Sequence, residues 1–202
     1  MPQIVLASQS TSRRRLLEGA GLNPTIIVSN VDEETDFFTA MSPADMVIAL
    51  AIAKAHTVRE SIDYPALIIG CDSTFDVDGI SFGKPETPEV AIERARQISG
   101  RSGWLHTGHC IIDTEKGIEI ADRITTKVTF DVMNEEEIAD YVASGEPLKV
   151  AGGFTLDGFG SPFIPVIAGD YTNVGGISMP FLRRTIKELG YTWPELKKMG
   201  AK

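Results

Sequence analysis

The stretch PALIIGCDS, Pro65 to Ser73, decides how the rest of the chain is read. From Ala66 to Cys71 it runs without a polar residue, and it is bounded by a proline and a carboxylate. A short continuous apolar run of this kind is the pattern of a strand covered on both faces. Such a strand needs helices above and below its sheet, so capped amphipathic segments are expected on either side of it.

The flanking sequence supplies them. Ser42-Pro43-Ala44-Asp45 has a capping hydroxyl, a first-turn proline and an acid in the order that starts a helix, here expected to reach about Glu60. Thr87-Pro88 opens another to about Ile98, and Asn134 caps Glu135 to Ala143, with three glutamates at the positive helix end. Further helices are expected from Thr11 or Ser12 to about Gly19 and from Pro180 to Leu189, the last followed by a polar tail. Strands are expected at Gln3 to Ala7 and Thr25 to Ser29, with Trp104 to Asp113 and Gly117 to Val132 forming a long hairpin about Thr114-Glu115-Lys116. Asp78-Gly79 marks a tight turn, and Gly145 to Gly176 reads as short strands and loops. The order predicts an α/β fold in which a mixed, twisted sheet is flanked by helices. Residues 1–202 form one expected domain, two-lobed with a cleft.

Composition narrows the function. With 202 residues, 43% hydrophobic and 23% charged, the chain can bury a substantial core. No stretch approaches the roughly 18 apolar residues of a membrane span, and no signal core follows Met1, so a soluble cytoplasmic protein is expected. Cys71 and Cys110 lie in apolar runs and read as small buried thiols. A formal net charge of -9 argues against binding a nucleic acid polymer, which takes many phosphate contacts from Lys and Arg. An anionic ligand must therefore be held by a local basic cluster. The densest is Arg13-Arg14-Arg15, which follows Ser8, Ser10 and Ser12 where a strand gives way to a helix. Hydroxyls and free backbone N–H groups at such a junction suit an anion.

Four other positions resist a purely structural reading. Lys54 is the only formal charge between Asp45 and Arg59, and on a helical period it shares a face with Val47. Its stem either packs while the ammonium reaches water, or the ammonium faces a bound anion. Asp72, at the expected carboxyl end of a buried strand, is either a turn former or a metal ligand or general base. Lys84 sits between glycine and proline in a short rigid loop, which suits a phosphate contact. Glu33 belongs to an acidic loop, and if it faces Asp72 the pair makes an oxygen site for Mg²⁺ or Mn²⁺. His106 and His109 are three apart on a strand and point to opposite faces, which disfavours a shared zinc. Phosphate-loop, dinucleotide and nucleophile-elbow motifs are absent.

Taken in order, these fragments resemble the Maf family. The resemblance rests on Leu6-Ala7-Ser8-x-Ser10 with Arg13, Val31-Asp32-Glu33, Leu50-Ala51-x-x-Lys54-Ala55, Asp72-Ser73, Gly83-Lys84-Pro85, Ser99-Gly100-Arg101, Gly145-Glu146-Pro147, Ala151-Gly152 and Gly169-Asp170-Tyr171-x-Asn173-Val174. It implies a Maf/ITPase-like fold and a cytoplasmic, often dimeric enzyme. The implied reaction splits ordinary or modified nucleoside triphosphates into nucleoside monophosphate and pyrophosphate with a divalent cation, a nucleotide housecleaning role. Asp72 then matches the catalytic base, and Glu33 its partner at the metal. Ser8, Arg13, Lys54 and Lys84 match the phosphate-binding set. Ser12, Ser73 and Asp157 stand where relatives select the base, and there this chain departs from the common pattern. A non-catalytic nucleotide-binding regulator linked to cell division is the alternative.

Overall fold

The computed structural model describes residues 1–199 and builds them around one seven-stranded sheet of order β2-β1-β3-β5-β6-β7, with β4 beside β3. β1 (Gln3–Leu6) pairs in parallel with β2 (Thr25–Ile26) and β3 (Ala66–Val77). All other pairings are antiparallel: β4 (Ile80–Phe82) with β3, β3 with β5 (Ser102–Asp113), β5 with β6 (Ile118–Thr129), and β6 with β7 (Val166–Ala168). The mixed α/β class is as the sequence predicts.

The helices are α1 (Thr11–Gly19), α2 (Asp36–Thr39), α3 (Pro43–Glu60), α4 (Pro88–Ile98), α5 (Glu135–Ala143), α6 (Tyr171–Val174), α7 (Met179–Glu188) and α8 (Trp193–Met199). Their starts obey local chemistry. The side chains of Ser10, Ser42, Thr87 and Ser178 each accept a backbone N–H of the first turn. Asn134 and Glu137 close a reciprocal capping box at α5.

Four sequence expectations are corrected. β2 stops at Ile26 rather than Ser29, because after Ile27 N–H bonds to Leu6 O the chain turns away, with Asn30 at φ 52°. The polar tail after Leu189 contains α8, whose Thr192 and Glu195 cap each other. Gly145 to Gly176 holds three 3₁₀ turns and α6 with only one strand. Most consequential, β3 does not end at Asp72 but continues to Val77, since Thr74 and Phe75 still pair with His106 and Leu105, and β4 pairs with its last residues. Asp72 is therefore mid-strand. The strand that ends at the site is β1.

Both faces of the sheet are covered. Ile4, Leu6, Leu67, Ile69 and Cys71 pack with α1, α7 and α8 through Leu17, Phe181, Leu182 and Leu196. Val5, Ala7, Ile68 and Cys110 pack on the other face against Ala51, Ala55 and Val58 of α3. A separate cluster of Phe75, Val77, Leu105, Val128, Phe130 and Phe154 gathers α4 and α5 toward the far end of the long strands.

Glycine sets how closely α3 lies on its face. A Cβ on Gly70 would stand 2.3 Å from Ala51 O, and one on Gly108 would stand 2.0 Å from Val47 O. Gly108 is the register partner of Asp72. These two glycines let a helix backbone touch the sheet on either side of Asp72, and one turn beyond Ala51 the helix delivers Lys54.

Gly108→Ala should therefore destabilise the protein by about 2 kcal/mol or more, read as a Tm lower by roughly 4–8 °C. Gly19→Ala, whose Cβ meets nothing within 4 Å at the end of α1, should be neutral or slightly stabilising. Equal responses of the two variants would contradict the close approach.

Candidate active site

Six of the nine residues singled out from sequence come together where β1 ends beside β3. Lys54 Nζ is 2.6 Å from Asp72 Oδ1 and 2.6 Å from Glu33 Oε1. The Lys54 and Asp72 side chains are about nine-tenths buried, whereas that of Glu33 is 46% exposed. One ammonium thus sits between two carboxylates, and the assembly opens to solvent on the Glu33 side. Lys54 does not snorkel; its face is the one that packs, as its alignment with Val47 predicts.

The second half of the cluster is centred on Arg13, also buried. Its Nε donates to Gly176 O at 2.7 Å, Nη1 to Ser8 Oγ at 3.0 Å and Nη2 to Ser73 Oγ at 3.0 Å. Three of the five N–H donors of a guanidinium are thereby committed and two remain. Among the described residues no carboxylate lies within ion-pair distance of Arg13, while Lys54 alone has two. Ser8 Oγ also accepts Ser10 N–H at 3.2 Å, which ties this half to the start of α1. Arg14, by contrast, pairs with Glu18 on the exposed side of that helix.

Electrostatics follow the burial. Loss of water pushes the Asp72 carboxyl up, against the pull of Lys54 and Arg13, and Glu33 pushes the same way. Burial raises the Cys71 thiol to about 11, so it stays protonated and inert. His109 is driven down to about 3, first by burial and then by Arg13. Its Nε2 accepts Ser178 N–H at 2.8 Å, which assigns the ring proton to Nδ1. His106 turns to the other face, toward Thr125 and Asp76.

Three expected residues stand apart from the cluster. Lys84 is exposed, on a loop held by Arg94 Nη1 and Gly152 N–H, both donating to Gly83 O. Ser12 is partly buried in the first turn of α1, and Asp157 is exposed on the loop before Gly158. Among the described residues none of the three shares a hydrogen bond or ion pair with the cluster.

The structure adds residues that no local pattern marked as functional. Glu146 accepts from Thr155 Oγ1, from Phe159 N–H at 2.9 Å and from Gly160 N–H at 3.0 Å, clasping the loop that carries Asp157. Asp170 receives Thr172 N–H, Thr172 Oγ1 and Ser178 Oγ, which folds the segment that offers Gly176 O to Arg13. The family-like run Gly169 to Val174 flagged this segment without a role for it.

Comparison with known proteins gives a consistent result. A family model described as Maf-like protein matches residues 3–189. A nucleoside triphosphate pyrophosphatase of Streptomyces coelicolor is 50% identical over 195 residues, covering 96% of this chain and 94% of that protein. One of Streptomyces avermitilis is 51% identical over 189 residues, covering 93% and 91%, and one of Thermosynechococcus vestitus 45% identical over 197 residues, covering 98% of each.

The neutral burial of His109 gives a pH signature. An unfolded histidine takes up its proton near pH 6.5, whereas this one resists down to about 3, so the unfolded state binds the extra proton in that window. Stability is lost as pH falls through it. His109→Gln, which keeps a neutral acceptor for Ser178 N–H, should lose about 2–3 kcal/mol less than the parent between pH 7 and pH 4.5 in urea unfolding. Parallel losses in the two proteins would reject this.

Proposed function

The chain belongs to the Maf-like protein family, and from that membership we propose that it is a nucleoside triphosphate pyrophosphatase, cleaving between the α- and β-phosphorus atoms to release nucleoside monophosphate and pyrophosphate. The observation that carries this reading is the segregation of charge. Lys54 faces two carboxylates, leaving a formal surplus of one negative charge there, while among the described residues the buried Arg13 has no carboxylate within ion-pair distance. A buried charge left unpaired is costly. An anion at Arg13 and a cation at Asp72 and Glu33 would balance both halves.

Phosphate oxygens suit the two N–H groups that Arg13 has left, and the positive end of α1 lies beside them. Asp72 and Glu33 would hold a Mg²⁺ or Mn²⁺. The donor set fits: the oxygens that meet Lys54 are Asp72 Oδ1 and Glu33 Oε1, each carboxylate keeps a second oxygen to offer, and such cations need only one or two carboxylates when substrate phosphates complete the shell. Bound there, the cation supplies charge neutralisation and polarisation of a phosphoryl oxygen.

The chain's own groups divide the remaining work. Asp72, with its proton affinity raised by burial, takes a proton from the attacking water. Lys54 holds the Asp72 carboxylate in place and limits the repulsion that two acids would exert on incoming phosphates. Arg13 fixes the phosphate chain through a fork whose other N–H groups are locked to Gly176, Ser8 and Ser73. Lys84, exposed on its rigid loop, meets the charge that builds on the departing pyrophosphate. Ser12, Ser73 and Asp157 are the base-selecting positions of this reading. A homodimer in the cytoplasm, clearing abnormal nucleotides, is the setting we propose with it. Family membership supports it, and no described helix is long and apolar enough to cross a membrane.

Asp72→Asn should keep the fold, because Lys54 retains Glu33 as its partner. Pyrophosphate release should nevertheless fall by roughly 10²–10⁴-fold. An unchanged turnover number in that variant would rule Asp72 out as the base.

A further inference from the structure

The four charged groups of the cluster, Arg13, Lys54, Asp72 and Glu33, are accounted for above, but Thr107 is not. It is fully buried on β5, yet its hydroxyl lies 2.9 Å from Ser73 Oγ and 3.2 Å from Asn173 O. We propose that Thr107 is a positioning residue for the Arg13 phosphate fork, acting by setting the direction of the Ser73 hydroxyl. The inference rests on the reading of Arg13 as the phosphate-binding group.

Donor and acceptor counting fixes the direction. Asn173 O is a carbonyl and can only accept, so Thr107 spends its one proton there. The contact between the two hydroxyls must then run from Ser73 to Thr107. Having given its proton to Thr107, Ser73 presents lone pairs to Arg13 Nη2 at 3.0 Å. Asn173 O also accepts Gly176 N–H at 2.9 Å, and Gly176 O accepts Arg13 Nε at 2.7 Å. The bonds therefore close a ring that starts and ends on the guanidinium. Every hydroxyl in it has one possible orientation.

Without the Thr107 hydroxyl, the ring opens at two places. The Ser73 proton loses its acceptor and is free to rotate, including toward Arg13, where it would repel the guanidinium. A misdirected fork weakens contact with phosphate, an effect expected in KM before kcat.

The test is steady-state pyrophosphate release with Mg²⁺ from UTP or GTP, whichever the wild type turns over faster. Thr107→Val keeps the volume and removes the hydroxyl, and should raise KM about tenfold, the scale of one lost hydrogen bond to a charged group's partner. Thr107→Ser keeps the hydroxyl and removes the methyl, and should stay within about threefold of wild type. In a Ser73→Ala background, Thr107→Val should add no further increase, because the residue through which it acts is gone. A KM that follows Tm across the Val and Ser variants, or effects that add fully to Ser73→Ala, would overturn the proposal in favour of a purely structural threonine. Arg13→Ala impaired with Thr107→Val silent would overturn this inference alone. Full activity in Arg13→Ala would overturn the parent reading and this inference with it.

Discussion

The contact between α3 and the sheet at Gly70 and Gly108 is the constraint on which the site depends. A helix normally stands off a sheet by the length of interlocking side chains. Here the Ala51 and Val47 carbonyls lie where Cβ atoms would otherwise project. That proximity lets a lysine, with its long stem, reach Asp72 in the middle of a strand and still meet Glu33 from a loop on the other side. Were the helix a side-chain layer further out, Asp72 would be an acid buried without a partner, a state that proteins avoid by pairing or neutralisation.

Around that contact the charges sort into two compartments that share neighbouring residues of one strand. Asp72 points to the α3 face, where it has Lys54, and Ser73 points to the opposite face, where it receives Arg13. The alternation of a strand thereby places the Lys54–Asp72–Glu33 group and Arg13 on opposite faces of β3, beside the end of β1. A metal-bound nucleotide presents the complementary pair, cation and phosphates, to such an edge. The overall charge of -9 is thus no obstacle to binding a polyanion. What matters is the local field, and the acids around it are held by Lys54 or directed outward.

How much of this was legible in the sequence depended on the range of the interactions. Helix starts such as Ser42-Pro43 and Asn134 with Glu137 could be read because a cap is made within a few residues. The same local signal exists at Thr192 and Glu195, inside the stretch that reads by composition as a polar tail. The end of β3 could not be read at Asp72, because residues beyond it are kept extended by β4 and β5, pairings that local composition does not encode. Lys54 stood out as the one charge on a packing face, and the structure puts it there. Among three adjacent arginines the family resemblance singles out Arg13, and its burial distinguishes it from Arg14 and Arg15. Its partner Gly176 and, one bond further on through Ser73, Thr107 are invisible in the sequence, since a backbone carbonyl 163 residues away and a threonine in a strand carry no pattern of their own.

The most direct measurement is a crystal structure with Mn²⁺ and an α,β-methylene nucleoside triphosphate, the metal located by anomalous scattering. The account predicts a manganese peak bonded by the carboxylates of Asp72 and Glu33, with a phosphate oxygen on the free N–H groups of Arg13. Manganese bound away from that pair, or an Arg13 guanidinium without a phosphate contact, would contradict it.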